Sequence, residues 1–208
     1  MEPRPTVFLV DDDAGMRKSL RMLIQSAGLQ TADYPSAETF LSDYDPDQPG
    51  CLVLDLRMPQ MGGLELQSIL EERHISLPVI ILTGYGDVPS AVRCLRLGAL
   101  DFLEKPVRPD TLLERVREAI DCDAQRREHR EHEEEILHRM SHLSDRERQV
   151  MNLVTGGLSN KRIAARLGLS PKTVANHRAN IIAKTGAANS ADLARMVTLA
   201  AALSRQNR

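Results

Sequence analysis

Four apolar runs recur through the first 105 residues, Thr6 to Val10, Cys51 to Leu54, Leu77 to Thr83 and Leu100 to Glu104, with a weaker strand expected near Leu29 to Tyr34. Short runs rich in Val, Ile and Leu predict strands buried on both faces. Helical spacing fills the intervals. Met16, Leu20, Leu23, Ile24 and Ala27 share one face, with Gly28 as a stop. Further helices are predicted from Ser36 with Phe40 and Leu41, from Leu64 to Arg73 after Gly62-Gly63, and from Val88 to Leu97 before Gly98. Another begins at Pro109 and carries Leu112, Leu113, Val116, Ala119 and Ile120. Five βα repeats predict a doubly wound parallel sheet with helices on both faces.

Beyond that point the periodicity changes. Asp110 to Thr155 contains neither Gly nor Pro, and Asp121 to Glu135 has no large apolar residue. The helix from Pro109 is therefore expected to run on to about Ser141, about 32 residues or roughly 48 Å. Ile136, Leu137, Met140 and Leu143 then restore an apolar stripe, a seam with a second copy or with the next domain. Ser144 and Glu147 form a capping box for a helix to about Val154. A second helix spans Ser159 to Leu167, and Gly168 turns the chain. Ser170 and Pro171 open a third through Lys184, and a fourth carries Leu193, Met196, Val197 and Ala200. Two short helices across a Gly-containing turn read as a helix-turn-helix. The expected organisation is an α/β domain over residues 1–124, a helical linker over 125–142 and an all-α four-helix domain over 143–208.

Charge sharpens the division. The 208 residues sum to −2, but residues 1–124 hold 12 Lys+Arg against 21 Asp+Glu, whereas 143–208 hold 11 against 3. The last segment is the natural face for a polyanion. Cys51, Cys94 and Cys122 lack ligand spacing and read as reduced structural thiols. The histidines of the linker, His129, His132, His138 and His142, read as solvated. No apolar run reaches the roughly 20 residues of a membrane span, so no membrane contact and a cytoplasmic location are expected.

The candidate chemistry lies at the strand ends. Open parallel sheets place their sites outside the carboxyl ends of the strands. There stand Asp11 and Asp12, Asp55, Thr83 and Lys105. Carboxylates converging at one point repel unless a divalent cation sits among them, and hard oxygens favour Mg²⁺. A carboxylate nucleophile, a metal site, a hydroxyl and an ammonium are the parts phosphoryl transfer requires. Asp13 reads as a helix N-cap.

Val-Asp-Asp-Asp at 10–13, Leu-Asp-Leu-Arg-Met-Pro-Gln-Met-Gly-Gly at 54–63, Leu-Thr-Gly at 82–84 and Asp-Phe-Leu-Glu-Lys-Pro at 101–106 together resemble the receiver domain of two-component response regulators. The resemblance implies that Asp55 accepts a phosphoryl group from a sensor histidine kinase. It implies Mg²⁺ (or Mn²⁺) held by Asp12, Asp55 and the backbone carbonyl of Arg57, with Asp11 acting through water. Thr83 would move to bond the phosphoryl group, Lys105 would pair with it, and Phe102 would be the aromatic whose rotation follows. The Lys105–Pro106 peptide is a candidate cis bond.

On the third helix of the basic segment, about 100° per residue sets Val174 and Ile181 toward the core and Asn176 near the centre of the opposite face. Asn176 suits a bidentate contact to adenine, and Lys172 a base edge or phosphate. Arg178, Lys184, Lys161 and Arg162 suit phosphates. Thr173, Asn180 and, at the inner margin, His177 complete the candidate DNA contacts. Leu-Ser-Asp-Arg-Glu at 143–147, Ser-Asn-Lys-Arg-Ile-Ala at 159–164 and Ser-Pro-Lys-Thr-Val-Ala-Asn-His-Arg at 170–178 resemble the LuxR-type domain of the NarL/FixJ regulators, nearest its FixJ branch. Together the two resemblances imply a phosphorylation-gated transcription regulator. It would dimerise through residues 88–104, bind promoter DNA and admit RNA polymerase as a further partner. Beyond handling its own phosphoryl group, such a protein is not an enzyme.

Two other classes compete. An aspartyl-phosphate phosphohydrolase dependent on Mg²⁺ would need an acid/base near Asp55, where Arg57 offers none. A ligand-sensing LuxR-type activator would leave the acidic strand ends unexplained.

Overall fold

The four apolar runs and the weaker, half-exposed strand form one parallel sheet. Its strands are β1 (Thr6–Val10), β2 (Gln30–Tyr34), β3 (Gly50–Leu54), β4 (Val79–Thr83) and β5 (Asp101–Glu104), in the order β2-β1-β3-β4-β5. The computed structural model describes residues 3–84 and 88–206. They divide into two units, Met1–Arg127 and Glu128–Arg208. β4 begins two residues later than the apolar run because Pro78 has no N–H for the ladder.

Alternation along the strands splits the first core in two. Phe8, Val10, Leu52, Leu54, Val79 and Ile81 face one side, with Phe40 of α2 (Ala37–Asp43), Leu66 and Leu70 of α3 (Gly63–Glu72) and Cys94 of α4 (Val88–Arg96). Val7, Leu9, Cys51, Val53, Ile80 and Leu82 face the other, with Leu20 and Ile24 of α1 (Ala14–Ser26) and Leu112 and Val116 of α5 (Pro109–Ser141). Both faces are covered, as a parallel sheet requires. Cys51 and Cys94 are buried thiols within these cores, as read from the sequence. The order reverses between β1 and β3, so a crevice opens at their carboxyl ends, where Asp11 and Asp55 stand.

α5 is one helix of 33 residues, as the lack of Gly and Pro after Pro109 predicts. The stretch 121–135, read as polar all round, nevertheless contains one buried side chain. Asp123 is 2% exposed and accepts the Gly50 N–H at 2.8 Å and Arg127 Nε at 2.8 Å. Arg127 then donates to the carbonyls of Pro46, Asp47 and Gln48. This clamp ties the start of the polar stretch to the loop before β3. Gly50 is required there: at φ 153° a Cβ would lie 1.8 Å from the Thr6 carbonyl oxygen.

The second unit has its own core. Ile136 and Met140 of α5 pack with Val150 of α6 (Asp145–Thr155), Ile163 of α7 (Asn160–Leu167), Val174 and Ile181 of α8 (Pro171–Thr185), and Leu193 and Met196 of α9 (Ser190–Gln206). The stripe of Ile136 and Met140 is therefore a seam with the helices that follow it, and Leu193 and Met196 are core residues. Gly168, in the left-handed region, closes α7 and turns the chain into α8.

Candidate functional site

Asp55 follows β3 directly and is 8% exposed. Its Oδ1 lies 3.1 Å from Lys105 Nζ, and its Oδ2 accepts the Arg57 N–H at 3.0 Å. Asp11, 4% exposed at the end of β1, takes the same ammonium at 2.7 Å and accepts the Asp13 N–H through Oδ1. Two buried carboxylates thus share one cation. Lys105 is carried there by β5, its N–H bonded to the Thr83 carbonyl at 2.8 Å, and the Lys105–Pro106 peptide is cis. Thr83 ends β4 fully buried, and Phe102 is half-buried on the α3–α4 side of the sheet. Asp12 is exposed. Asp13 caps α1, accepting from Gly15 and Met16, and so is spent on structure.

Burial pushes the Asp55 carboxyl above its ordinary range. Lys105 opposes the shift through its hydrogen bond and charge, and Asp11 adds to it. Burial lowers the Lys105 ammonium, but the bond to Asp11 and then that to Asp55 prevail, and it is held above its usual value. The site therefore carries more negative charge than its single cation balances.

Gly63 starts α3 against this loop. A Cβ there would lie 2.4 Å from the Asp55 carbonyl oxygen, so the close approach needs glycine.

The sequence resemblance implies a Mg²⁺ ion at these carboxylates. Among the described residues no three acidic, His or Cys side chains stand as a ready metal group, and Lys105 pairs with both Asp11 and Asp55. The donor set nevertheless fits: two buried carboxylates with excess negative charge, exposed Asp12 beside them, and no sulfur or imidazole.

In the second unit Lys172, Asn176 and Asn180 are exposed along the outer face of α8, with Lys161 and Arg162 exposed at the start of α7. The remaining candidates stand differently. Arg178 donates to Asn160 Oδ1 at 2.9 Å and Ser190 Oγ at 3.0 Å, bracing α8 to its neighbours. Lys184 pairs with Glu147 at 2.7 Å. Thr173 is engaged with Ser170 in the N-cap, and His177 is half-buried. These four are occupied or turned inward by the domain's own packing.

Glu147 is the capping-box residue expected from sequence, and it is also 4% exposed and ion-paired. The hydrogen bond from Lys184, then the Ser144 N–H, hold its carboxyl at about 2. Its folded pKa lies below the unfolded one, so its stabilisation is present above about pH 4.5 and is lost as pH falls toward 2. The shift alone corresponds to about 3 kcal/mol, and with Lys184 partly exposed we expect roughly 1–2. Hydrogen exchange of α6 and α8 amides, corrected for intrinsic rates, should lose protection in wild type between about pH 6 and pH 3. Glu147→Gln should start lower and change less; equal slopes would refute the assignment.

Residues 7–117 match the family described as response regulator receiver domain, and residues 141–197 that described as bacterial regulatory proteins, luxR family. The transcriptional regulatory protein FixJ of Azorhizobium caulinodans is 43% identical over 194 residues, covering 93% of this chain and 92% of its own. The response regulator protein TodT of Pseudomonas putida is 38% identical, covering 91% and 84%. The solved structure of response regulator StyR aligns over 94% of this chain and 98% of its own, at 42% identity and a TM-score of 0.86. Full-length FixJ from B. japonicum covers 96% and 98%, at 38% identity and a TM-score of 0.57.

Proposed function

Because the chain belongs to the response regulators that join a receiver to a LuxR-type DNA-binding domain, and so serves phosphorylation-dependent regulation of transcription, we propose that Asp55 is its phosphoacceptor. The observation that carries this is the shared ammonium: Asp55 is buried, aimed at Lys105, and short of positive charge. A carboxylate oxygen of Asp55 attacks the phosphorus of a phosphohistidine on a sensor kinase. The P–N bond breaks, the electron pair returns to the imidazole, and an acyl phosphate forms.

Lys105 then exchanges a carboxylate partner for phosphoryl oxygens, and Thr83 supplies a hydroxyl from the neighbouring strand. Asp12, Asp55 and the Arg57 carbonyl, with Asp11 through water, would hold Mg²⁺ or Mn²⁺, which would supply positive charge to the phosphoryl oxygens. Beside Lys105, Met16, Leu20, Leu23, Pro106 and Val107 line an apolar cavity of about 320 Å³. It offers the kinase a seat next to the acceptor. Phosphoryl acceptance and slow hydrolysis of the protein's own acyl phosphate are the whole of its enzymology.

The output surface is proposed at α4 and the start of β5. Val92, Leu95 and Leu100 are exposed large apolar residues there, on the side of the sheet that holds Phe102. Self-association through this face would present two copies of α8 to a two-fold-related DNA site. Lys172, Asn176 and Asn180 read bases while Lys161 and Arg162 hold phosphates.

Acetyl phosphate with Mg²⁺, followed by gel retardation at two salt concentrations, tests the whole reading. One hydroxylamine-labile phosphoryl group per chain is expected, with tighter, salt-sensitive DNA binding. Asn176→Ala should reduce discrimination between sites by about 1–3 kcal/mol, whereas Lys161→Ala should weaken all sites alike. Steady phosphate release from small phosphoesters would favour a phosphohydrolase instead.

A further inference from the structure

Arg178 lies between Asn176 and Asn180 in the sequence but on the other side of α8. Both asparagines are exposed, and a residue midway between them is carried about 180° round the helix from their common face. There the Arg178 guanidinium is spread between two other helices. Its Nη1 donates to Asn160 Oδ1, in the first residue of α7, at 2.9 Å, and its Nη2 to Ser190 Oγ, in the first residue of α9, at 3.0 Å. Asn160 directly precedes Lys161 and Arg162, the cations exposed at the start of α7. One side chain thus links the outer face of α8 to the phosphate-holding end of α7.

The carboxyl end of α7 is joined to α8 through the Gly168 turn, and Ile163 and Val174 pack the two helices together in the shared core. Burial of apolar surface is non-directional, so it holds the helices in contact without fixing how far one slides along the other. Hydrogen bonds are directional, and Arg178 supplies one at the amino end of α7. That end lacks a cap of its own: Ser159 makes no side-chain cap bond, whereas Ser144 and Ser170 cap α6 and α8. Charge does not explain the arginine, because the amino ends of α7 and α9 already carry partial positive charge. Shape does, since a guanidinium offers separate nitrogens at a fixed spacing, one for each oxygen.

We propose that Arg178 is a positioning residue for sequence discrimination: bonded to Asn160 and Ser190, it fixes the register between the phosphate contacts at the start of α7 and the base-reading face of α8. It acts through those partners and not on DNA. The inference rests on the reading of α8 as the base-reading helix. Without the brace Lys161 and Arg162 still hold phosphates, but Asn176 and Asn180 no longer meet the base edges in step, so specific binding falls and non-specific binding persists.

The test measures the affinity of the full-length chain, treated with acetyl phosphate, for two probes at several salt concentrations. One is a duplex that wild type enriches from a random-sequence pool, the other a shuffled duplex of the same composition. Arg178→Ala should lower the ratio of the two affinities at least about fivefold, the size of one lost base contact. It should leave the salt slope unchanged, whereas a lost phosphate contact lowers the slope by about 0.9. Arg178→Lys should behave like the alanine variant, because an ammonium keeps the charge without the fork. Asn160→Ala should also lower the ratio, and the double variant by less than the product of the two single effects. A variant that is simply less stable leaves the ratio alone, since both probes report on the same folded fraction. A slope reduced by about 0.9 with the ratio kept, a wild-type ratio for Arg178→Lys, or multiplicative effects in the double variant would each overturn the proposal. If wild type enriches no duplex, the reading of α8 fails and the brace with it. If Asn176→Ala lowers the ratio and Arg178→Ala does not, the brace alone fails.

Discussion

A chain carrying Asp55→Asn is expected to take up no phosphoryl group from acetyl phosphate and yet to melt at a higher temperature than wild type. The first half is chemical. An amide oxygen has its lone pair drawn into resonance and does not form an acyl phosphate, so the phosphoryl-driven gain in DNA affinity, on the order of 5–150-fold for typical couplings, should vanish.

The second half is electrostatic. Burial raises the Asp55 carboxyl, so the ionised form is disfavoured in the folded state. For a group whose folded pKa lies above its unfolded one, stability falls as pH rises between the two and stays lost above them. At neutral pH the full cost is present. Asparagine removes it while still accepting the Arg57 N–H, and Lys105 keeps Asp11. A gain of about 1 kcal/mol would raise the receiver transition by about 4 °C, and the gap should shrink toward pH 4. Calorimetry of the full chain at several pH values checks it. A normal acyl phosphate on the variant would remove Asp55 from its role, whereas a lowered melting temperature would refute the electrostatic account.

The candidate site is legible in the sequence because its parts follow strands. Val10, Leu54, Thr83 and Glu104 end runs whose apolar character is unmistakable, and a parallel sheet brings such ends together. The caps were legible for a related reason: Asp13, Ser144 and Glu147 bond within three residues of themselves. What stayed hidden is long-range and polar. Asp123 meets Gly50 across 73 positions, and the charged stretch around it reads as solvated because periodicity averages over one buried side chain. Arg178 and Lys184 looked like phosphate ligands because a helical wheel shows which way a cation faces but not what already holds it. Arg178 is taken by Asn160 and Ser190, and Lys184 by Glu147. The proposed phosphate contacts therefore rest on Lys161 and Arg162.

Lys105→Met should be the most destabilising single change at the receiver site, and Mg²⁺ should reverse much of it. Lysine and methionine are similar in length, so the packing beside Pro106 is kept while the charge is lost. Asp11 and Asp55, 4% and 8% exposed, would then face one crevice with no cation between them. Removing one partner of a buried ionic group typically costs about 3–5 kcal/mol, and partial protonation of Asp55 would hold the loss near 3. A dication supplies the missing charge to the same oxygens. In EDTA the variant should therefore melt well below wild type. Addition of about 10 mM Mg²⁺ should raise its transition further than it raises that of wild type, where Lys105 already occupies the carboxylates. Scanning calorimetry of both chains with and without the metal measures the difference. Equal Mg²⁺ responses would mean that the ammonium and the ion do not compete for these carboxylates. A variant as stable in EDTA as wild type would mean that the shared ammonium contributes nothing to holding the β1, β3 and β5 ends together.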